Sequence, residues 1–210
     1  LGAKLALITR SQKDIMNLRA LFGKDSSRVL IFAGDVSDPI TVAEFSRVVE
    51  QKFKGVDVLI NNAGMRFRKP FLDIKPEEFG EVMNCNLNSM FHMCQAIFPL
   101  MVKGGGGKVV NMSSVLGTHG LSDLCGYITS KAAIVGLTKA LAVEFANRNI
   151  NVNALAPGFC KTSYYDNFMK TRGELYQFTL ERTPLAQWGE SKDIVNACLY
   201  LTSEMSDFVT

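Results

Sequence analysis

The sequence predicts an α/β fold of the Rossmann-like kind, in which a doubly wound parallel sheet lies between two layers of helices within a single domain. Short apolar runs alternate along the chain with segments that have the periodicity of amphipathic helices. The runs are apolar throughout, as strands buried on both faces of a sheet are. The 210 residues are 47% hydrophobic, which is enough for one sizeable core.

The first half of the chain alternates strand and helix. The run KLALI (4–8) predicts a strand, and apolar residues then recur at helical spacing over 12–22. RVLIFA (28–33) predicts a second strand, the segment 42–53 an amphipathic helix, and VDVLI (56–60) a third strand. Because crossovers between parallel strands are right-handed, this order predicts a doubly wound arrangement.

The second half continues the pattern with one long helix predicted over 76–102. Pro76, Glu77 and Glu78 are favoured in a first helical turn, and GGGG (104–107) ends the helix. The remaining elements are predicted as strands at 108–113 and 151–156 and as helices at 126–148, 164–181 and 191–203.

Composition argues against several classes of protein. With 23 basic and 20 acidic residues, the chain is too balanced to indicate nucleic-acid or membrane-surface binding. Five cysteines without a C-x-x-C spacing indicate free thiols in a reducing compartment, and two histidines make a histidine-based metal site unexpected. We find no signal peptide and no apolar run of membrane-spanning length, so we expect a cytoplasmic protein without a metal.

The residues most indicative of chemistry are Tyr127 and Lys131, four residues apart, with Ser114 thirteen residues before the tyrosine. A four-residue step places two side chains on one face of a helix. A free tyrosine has a pKa of roughly 10, and a nearby ammonium favours the phenolate. The pair therefore suits general acid–base work on a carbonyl or an alcohol, with Ser114 as a hydrogen-bond donor to the same oxygen. The alternative for Y-x-x-x-K alone is a solvated helix face.

Six motifs surround these residues, in this order: GDVSD (34–38), NNAG (61–64), NCNL (84–87), NMSS (111–114), YITSK (127–131) and APGFCKT (156–162). They resemble the short-chain dehydrogenase/reductase family over about residues 2–210. The resemblance implies an enzyme that transfers a hydride between a nicotinamide cofactor and a carbonyl or secondary alcohol. The glycine motif with which the family begins is absent, so we expect the chain to lack the first strand, glycine loop and helix, and also the C-terminal strand.

By this resemblance Asn86, Ser114, Tyr127 and Lys131 form the catalytic tetrad. Tyr127 exchanges a proton with the substrate oxygen, and Ser114 polarises the carbonyl. Lys131 holds the nicotinamide ribose, and Asn86 bends its helix and keeps a water in a proton relay. The alternatives are a surface amide for Asn86 and a turn residue for Ser114.

The resemblance also implies the residues that bind the cofactor. These are Asp35 and Val36 at the adenine, the turn Asn62, Ala63 and Gly64, the tetrad members Tyr127 and Lys131, and the stretch containing Pro157, Gly158 and Thr162. Asp35 could instead be a turn residue, and Asn62 could stitch neighbouring strands together. Arg10 stands where NAD users of the family often have an acidic residue, and its guanidinium suits a 2′-phosphate. We therefore expect NADP(H) to be preferred, with NAD(H) possible.

The substrate is less well specified. Arg66, Arg68 and Lys69 could receive a carboxylate at the active-site mouth, or form a solvated loop. Together with MRFRKPFLDIKPEEF they resemble the sugar-acid branch, such as gluconate 5-dehydrogenases. A 3-oxoacyl-carrier-protein reductase is the alternative, and a non-catalytic nucleotide sensor is an alternative of another class.

Two further regions have expected roles. Residues 163–188 would form a substrate lid whose candidate wall or packing residues are Tyr164, Tyr165, Phe168 and Trp188. Helices 76–102 and 126–148 match the family's intersubunit bundle and predict a homodimer or homotetramer.

Overall fold

The strands of this protein pair in parallel, as the sequence predicts. The computed structural model describes residues 2–23, 27–162 and 165–210. Strands β1 and β2 form one sheet, β3, β4 and β5 form a second in that order, and the short β6 and β7 form a third. The strands are β1 (Leu5–Thr9), β2 (Val29–Ala33), β3 (Val58–Asn61), β4 (Gly107–Met112), β5 (Ile150–Leu155), β6 (Cys160–Lys161) and β7 (Gly189–Glu190).

Helices lie between most of these strands, which gives the predicted three-layer α/β/α architecture. The helices are α1 (Gln12–Phe22), α2 (Pro39–Phe53), α3 (Pro76–Met83), α4 (Ser89–Gly104), α5 (Cys125–Phe145), α6 (Tyr165–Thr171), α7 (Gly173–Glu181) and α8 (Ser191–Leu201). Short 3₁₀ turns occur at 71–73, 115–117, 146–148 and 204–206. In the described part of the chain, every helix is too short or too polar to span a bilayer.

Helix starts follow from local capping chemistry. Ser11 precedes α1 and accepts a hydrogen bond from the Asp14 amide at 3.2 Å. Asp38 precedes α2 and accepts from the amides of Ile40 and Thr41 at 3.2 and 3.1 Å. Each side chain satisfies an amide that has no partner within the helix.

The predicted long helix 76–102 is corrected by the structure. It is interrupted by five π-helical residues, Asn84–Asn88, so that α3 and α4 are separate α-helical segments. The predicted helix 164–181 is also two helices, α6 and α7, and Tyr164 lies outside the described residues. Strands β6 and β7 have two residues each and carry no recognisable sequence pattern.

The main core lies between the strands and the helices α2 and α4. Val42 from α2, Ile97 and Met101 from α4, and Val109 from β4 are each at most 2% exposed. Val109 and the next residue, Val110, are both buried although their side chains face opposite sides of the sheet. Strand β4 is therefore covered on both faces, as its continuous apolar pattern predicts.

A buried amide pair joins β3 to β4. Asn61 and Asn111 are register partners, and Asn61 Nδ2 donates to Asn111 Oδ1 at 2.9 Å. Asn111 Nδ2 in turn donates to Thr138 Oγ1 of α5 at 3.0 Å. Because Asn61 is 8% exposed and Asn111 fully buried, these groups depend on one another for hydrogen bonding.

Replacing Asn61 by Ala is expected to lower the free energy of unfolding by about 2 kcal/mol, since it removes the donor to a buried amide oxygen. Chemical denaturation measures this change. The control is Asn88→Ala, which breaks the exposed 3.3 Å amide contact between Asn88 and Asn84 and should change stability by less than about 0.5 kcal/mol. Equal effects of the two substitutions would contradict the importance of the buried pair.

Candidate active site

Three elements bring Ser114, Tyr127, Lys131 and Asn86 together. Ser114 follows the C-terminal end of β4, Tyr127 and Lys131 lie in the first two turns of α5, and Asn86 lies in the π-helical segment. The four-residue step places Lys131 Nζ 5.7 Å from the centre of the Tyr127 ring. The structure thus places Tyr127 and Lys131 beside each other, as the four-residue spacing predicts.

Lys131 is a buried cation. Its residue is 6% exposed, and its Nζ donates to the carbonyl oxygen of Met112 at 2.6 Å. Burial lowers the pKa of this ammonium from 10.5 to about 8. One of the three N–H donors is used by Met112, so the others remain able to bind a ligand.

Asn86 is fully buried and holds the segment that follows the NNAG turn. Its Oδ1 accepts from the Met65 amide at 2.7 Å, and its Nδ2 donates to the Met65 carbonyl at 3.0 Å and to Ser130 Oγ at 2.9 Å. Ser130 Oγ donates to the carbonyl of Tyr127 at 2.7 Å. The amide therefore links residue 65 to the first turn of α5, and the surface-amide alternative for Asn86 does not apply.

The NNAG turn approaches both groups closely. A Cβ added to Gly64 would lie 3.2 Å from Asn86 Oδ1 and 3.6 Å from Lys131 Nζ. Asn62, Ala63 and Gly64 are exposed, whereas Asn61 is the asparagine that stitches the strands. Gly64 thus leaves open a space beside the buried ammonium that any side chain would fill.

Ser114 is 8% exposed and begins a 3₁₀ turn. Its Oγ accepts from the Leu116 amide at 3.2 Å, so its O–H group can still donate to a ligand. The turn-residue alternative and a donor role are therefore compatible for this serine.

Arg10 and Asp35 are bound to each other. They follow β1 and β2, whose last residues, Thr9 and Ala33, are register partners. Arg10 Nη1 donates to Asp35 Oδ2 at 2.9 Å, and Ser37 donates to Oδ1 through Oγ at 2.6 Å and through its amide at 2.9 Å. The bonds from Ser37, followed by that from Arg10, hold the pKa of the Asp35 carboxyl below its usual range. These bonds fit the turn role that the sequence left as the alternative for Asp35.

Val36 contacts the core, and the APG stretch (156–158) contacts the loop after Ser114. Val36 is half-buried and packs against the main core. The Pro157 carbonyl accepts from the Val115 amide at 3.0 Å, which joins this stretch to the loop after Ser114. Gly158 and Thr162 are exposed.

Arg68 and Lys69, two of the basic residues after NNAG, are bound to neighbouring groups. Arg68 is only 14% exposed, and its Nη1 donates to the Ser122 carbonyl at 3.0 Å and lies 3.6 Å from Asp123 Oδ2. Lys69 Nζ donates to both carboxylate oxygens of Glu78 at 2.8 Å. These side chains fasten the loop to the start of α5 and to α3, and Arg66 alone of the group is exposed.

The expected lid is organised around Trp188. Phe168 and Trp188 are 0% and 5% exposed, and the Trp188 indole donates to Thr179 Oγ1 at 2.8 Å. Tyr165 and Tyr176 contact the same indole ring at centroid distances of 5.2 and 5.4 Å. Packing is therefore the role that the structure gives to Phe168 and Trp188.

The structure adds residues that the sequence did not single out. Ser113, Ser130, Asn111 and Thr138 are buried polar residues hydrogen-bonded around the site. Asn111, Ser113 and Ser130 lie within the motifs NMSS and YITSK, and a further signal was polarity inside apolar segments. Asn111 interrupts a strand, and Ser130 and Thr138 lie on the inner face of α5.

Comparison with known proteins agrees with this architecture. The family model described as Enoyl-(Acyl carrier protein) reductase matches residues 1–210. The 3-oxoacyl-[acyl-carrier-protein] reductase of Thermotoga maritima is 37% identical over 176 residues, 84% of this chain and 70% of that protein. The gluconate 5-dehydrogenase of Gluconobacter oxydans is 28% identical over 208 residues, 99% of this chain and 81% of that protein.

Solved structures have the same fold. A gluconate 5-dehydrogenase from Burkholderia cenocepacia J2315, in complex with NADP and tartrate, has a TM-score of 0.91 and 27% identity. The superposition covers 100% of this chain and 82% of that one. The fold and the matches define an oxidoreductase that acts on CH–OH or carbonyl groups with a nicotinamide cofactor. The chain belongs to the short-chain dehydrogenase/reductase family.

The buried ammonium makes stability depend on pH. Because the pKa of Lys131 falls from 10.5 to about 8 on folding, the unfolded chain binds more protons between these pH values, and stability should rise with pH. The wild type is expected to gain about 3 kcal/mol relative to Lys131→Met between these pH values. Denaturation at several pH values measures the difference. Lys139→Met serves as the control, because it removes an exposed lysine from the same helix. If the stability difference between the wild type and Lys131→Met does not vary with pH, the buried charge is contradicted.

Proposed function

We propose that this protein is an NADP(H)-dependent oxidoreductase that interconverts a secondary alcohol and a ketone in a sugar acid of the gluconate type. The observation that carries this proposal is the arrangement of Tyr127, the buried ammonium of Lys131 and the hydroxyl of Ser114 at the end of β4. The space beside Gly64 fits a cofactor, because the backbone there is exposed and a Cβ would fill it.

In the reducing direction, Ser114 donates a hydrogen bond to the substrate carbonyl oxygen and Tyr127 transfers its hydroxyl proton to the same oxygen. The nicotinamide cofactor, when bound, supplies the hydride to the carbonyl carbon. The ammonium of Lys131 stabilises the negative charge left on the tyrosine oxygen. In the oxidising direction, Tyr127 takes the proton of the alcohol.

Lys131 and Asn86 have supporting roles in this proposal. Lys131 would hold the ribose hydroxyls of the cofactor through its remaining N–H donors, while one donor stays on the Met112 carbonyl. Asn86 keeps the Met65 segment in place through its side chain. We infer that the π-helical turn around Asn86 leaves room for the water of a proton relay, since π-helical turns displace backbone carbonyls from the regular ladder.

The remaining cofactor contacts are proposals from the family resemblance. Asp35 and Val36 would bind the adenine, and the turn Asn62, Ala63 and Gly64 would let the backbone approach the cofactor. Pro157, Gly158 and Thr162 would reach the nicotinamide carboxamide. Arg10 receives the 2′-phosphate. The NADP found in the Burkholderia neighbour supports this choice. A 2′-phosphate would compete with the Asp35 carboxylate for the guanidinium of Arg10.

The sugar-acid substrate rests on the relatives. Tartrate, found with the Burkholderia enzyme, is a hydroxy acid, and Arg66 is an exposed cation whose guanidinium suits a carboxylate. The Thermotoga relative favours a second candidate, reduction of a 3-oxoacyl thioester on an acyl carrier protein. A non-catalytic sensor is disfavoured, because it would have no need for the arrangement of Ser114, Tyr127 and Lys131.

We further propose that two copies meet through α4 and α5. Ala132, Gly136, Ala140 and Val143 form an exposed stripe of small or apolar residues on α5, and Phe91 on α4 is 46% exposed. Val143 is 83% exposed, which is unfavourable for an aliphatic side chain in water. Small residues let two helices approach closely, which supports a homodimer or homotetramer. A cytoplasmic location stays a prediction from composition.

Tyr127→Phe is expected to lower kcat by at least about a hundredfold, because the proton donor is lost, with little change in the dissociation constant of NADPH. The assay follows NADPH and NADH oxidation with 5-ketogluconate and with an acetoacetyl thioester. Tyr200→Phe, on α8, is the control and should keep full activity. An active Tyr127→Phe variant would overturn the proposed mechanism; turnover of the thioester alone would instead assign the second candidate substrate.

Ala132→Glu is expected to shift the protein toward monomers, because a carboxylate cannot be buried between two close helices without a partner. Light scattering coupled to size-exclusion chromatography measures the mass in solution. Ala20→Glu places the same charge on the exposed face of α1 and should leave the mass unchanged. An unchanged mass for Ala132→Glu would rule out this face as the interface.

A further inference from the structure

We propose that Ser113 and Gly117 are positioning residues that fasten the loop carrying Ser114 to the backbone of Lys131, and so set the distance between the donor serine and the acid–base tyrosine. This inference rests on the proposed function, because it assigns a role relative to Ser114 and Tyr127. Neither residue is proposed to touch the substrate. Both act through the carbonyl group of Lys131.

Ser113 supplies the attractive contact. Its side chain is buried, with the residue 5% exposed, and its Oγ donates to the Lys131 carbonyl oxygen at 2.8 Å. Residue 131 is in the second turn of α5, where a carbonyl normally accepts only from the amide four residues later. The bond therefore joins the end of β4 to the helix through a second, additional acceptor site on the same oxygen.

Gly117 allows the 3₁₀ turn after Ser114 to approach α5 closely. A Cβ on this residue would lie 2.9 Å from the Lys131 carbonyl oxygen, 3.1 Å from its carbonyl carbon and 3.1 Å from Ser113 Oγ. The atoms it would meet are helix backbone, which cannot rotate away. Only a residue without a side chain lets the 3₁₀ turn after Ser114 lie against α5 at this distance.

Lys131 is consequently held through both its side chain and its backbone. Its ammonium donates to the Met112 carbonyl at 2.6 Å, and its backbone carbonyl accepts from Ser113 at 2.8 Å. Residues 112, 113 and 117 thus surround Ser114 in sequence and all contact one residue of α5. Because Tyr127 is one turn earlier in that helix, fixing Lys131 relative to the loop also fixes Ser114 relative to Tyr127.

The chain provides a matched control for this contact. Ser46 of α2 is also buried, at 8% exposure, and its Oγ donates to the Ala96 carbonyl of α4 at 2.9 Å. Ser113 and Ser46 therefore make the same kind of bond, from a buried hydroxyl to a helix carbonyl. Only the Ser113 bond is beside the proposed catalytic groups.

The test compares Ser113→Ala, Gly117→Ala and Ser46→Ala in the full-length protein. Ser113→Ala removes the bond, and Gly117→Ala forces the surfaces apart while leaving every hydrogen-bonding group present. Each is expected to lower kcat by about tenfold or more, because misalignment of reacting groups acts on the chemical step. KM and the NADPH dissociation constant, measured by fluorescence, should stay within about threefold of the wild type. Ser46→Ala should shift the denaturation midpoint as much as Ser113→Ala and leave kcat unchanged.

The double variant adds a second test. Since both substitutions act on one contact, the loss of kcat in Ser113→Ala/Gly117→Ala should be smaller than the product of the single losses. Unchanged kcat in Gly117→Ala and Ser113→Ala, or an equal loss in Ser46→Ala, would overturn the positioning role. Wild-type turnover that is abolished by Tyr127→Phe establishes the proposed function separately, so its failure and the failure of this inference are distinguishable.

Discussion

The hydrogen bond between the buried amides of Asn61 and Asn111 is the interaction on which the rest of the site depends. It sets the register of β3 against β4, and through Thr138 it attaches α5 to the same point of the sheet. A slip of one residue would place the two amides on opposite faces of their strands and break the bond between them, so that Asn111 Oδ1 would lose its donor. The strand ends that carry the NNAG turn and Ser114 are therefore aligned by a contact inside the core.

Helix α5 is docked at several separate points along its length. Near its start Gly126 packs against Phe79 of α3, where an added Cβ would be 3.4 Å from the ring. Lys131 is bound in the second turn by the end of β4, and Thr138 is bound by Asn111 further along. A helix fixed at three points has little freedom to slide or rotate. The first turn, with Tyr127, is thus held in place, which suits the proton transfer proposed for this tyrosine.

The strand and helix pattern was predictable because it depends on local periodicity, and the proximity of Tyr127 and Lys131 was predictable because a four-residue step puts two side chains on one helix face. The π-helical turn at Asn84–Asn88 was not, since apolar residues on both sides of it continue a helical spacing and the interruption centres on Asn86, which binds Met65. The engagement of Arg68 with residues 122 and 123 could not be read from sequence either. Contacts between residues more than fifty positions apart leave no periodic trace.

In the expected lid, too, the contacts of apolar side chains could not be predicted from sequence. Aromatic residues over 165–188 suggested a substrate wall as readily as packing, because composition does not say which way a ring faces. In the structure Phe168 and Trp188 turn inward and form a small core of their own with Tyr176. The direction of a side chain is decided by the fold of its neighbours, and that information is distributed over the whole segment.

The buried ammonium also means that the binding of a ligand beside Lys131 exchanges protons with solvent. With a pKa of about 8, Lys131 is only partly charged in mildly alkaline solution. An anionic ligand that binds beside Nζ favours the charged form, so the protein takes up protons as the ligand binds. Above pH 8 the measured heat of binding would then vary with the ionisation enthalpy of the buffer, and affinity would weaken as the solution becomes more basic. The lysine thus couples occupancy of the site to the acidity of its surroundings.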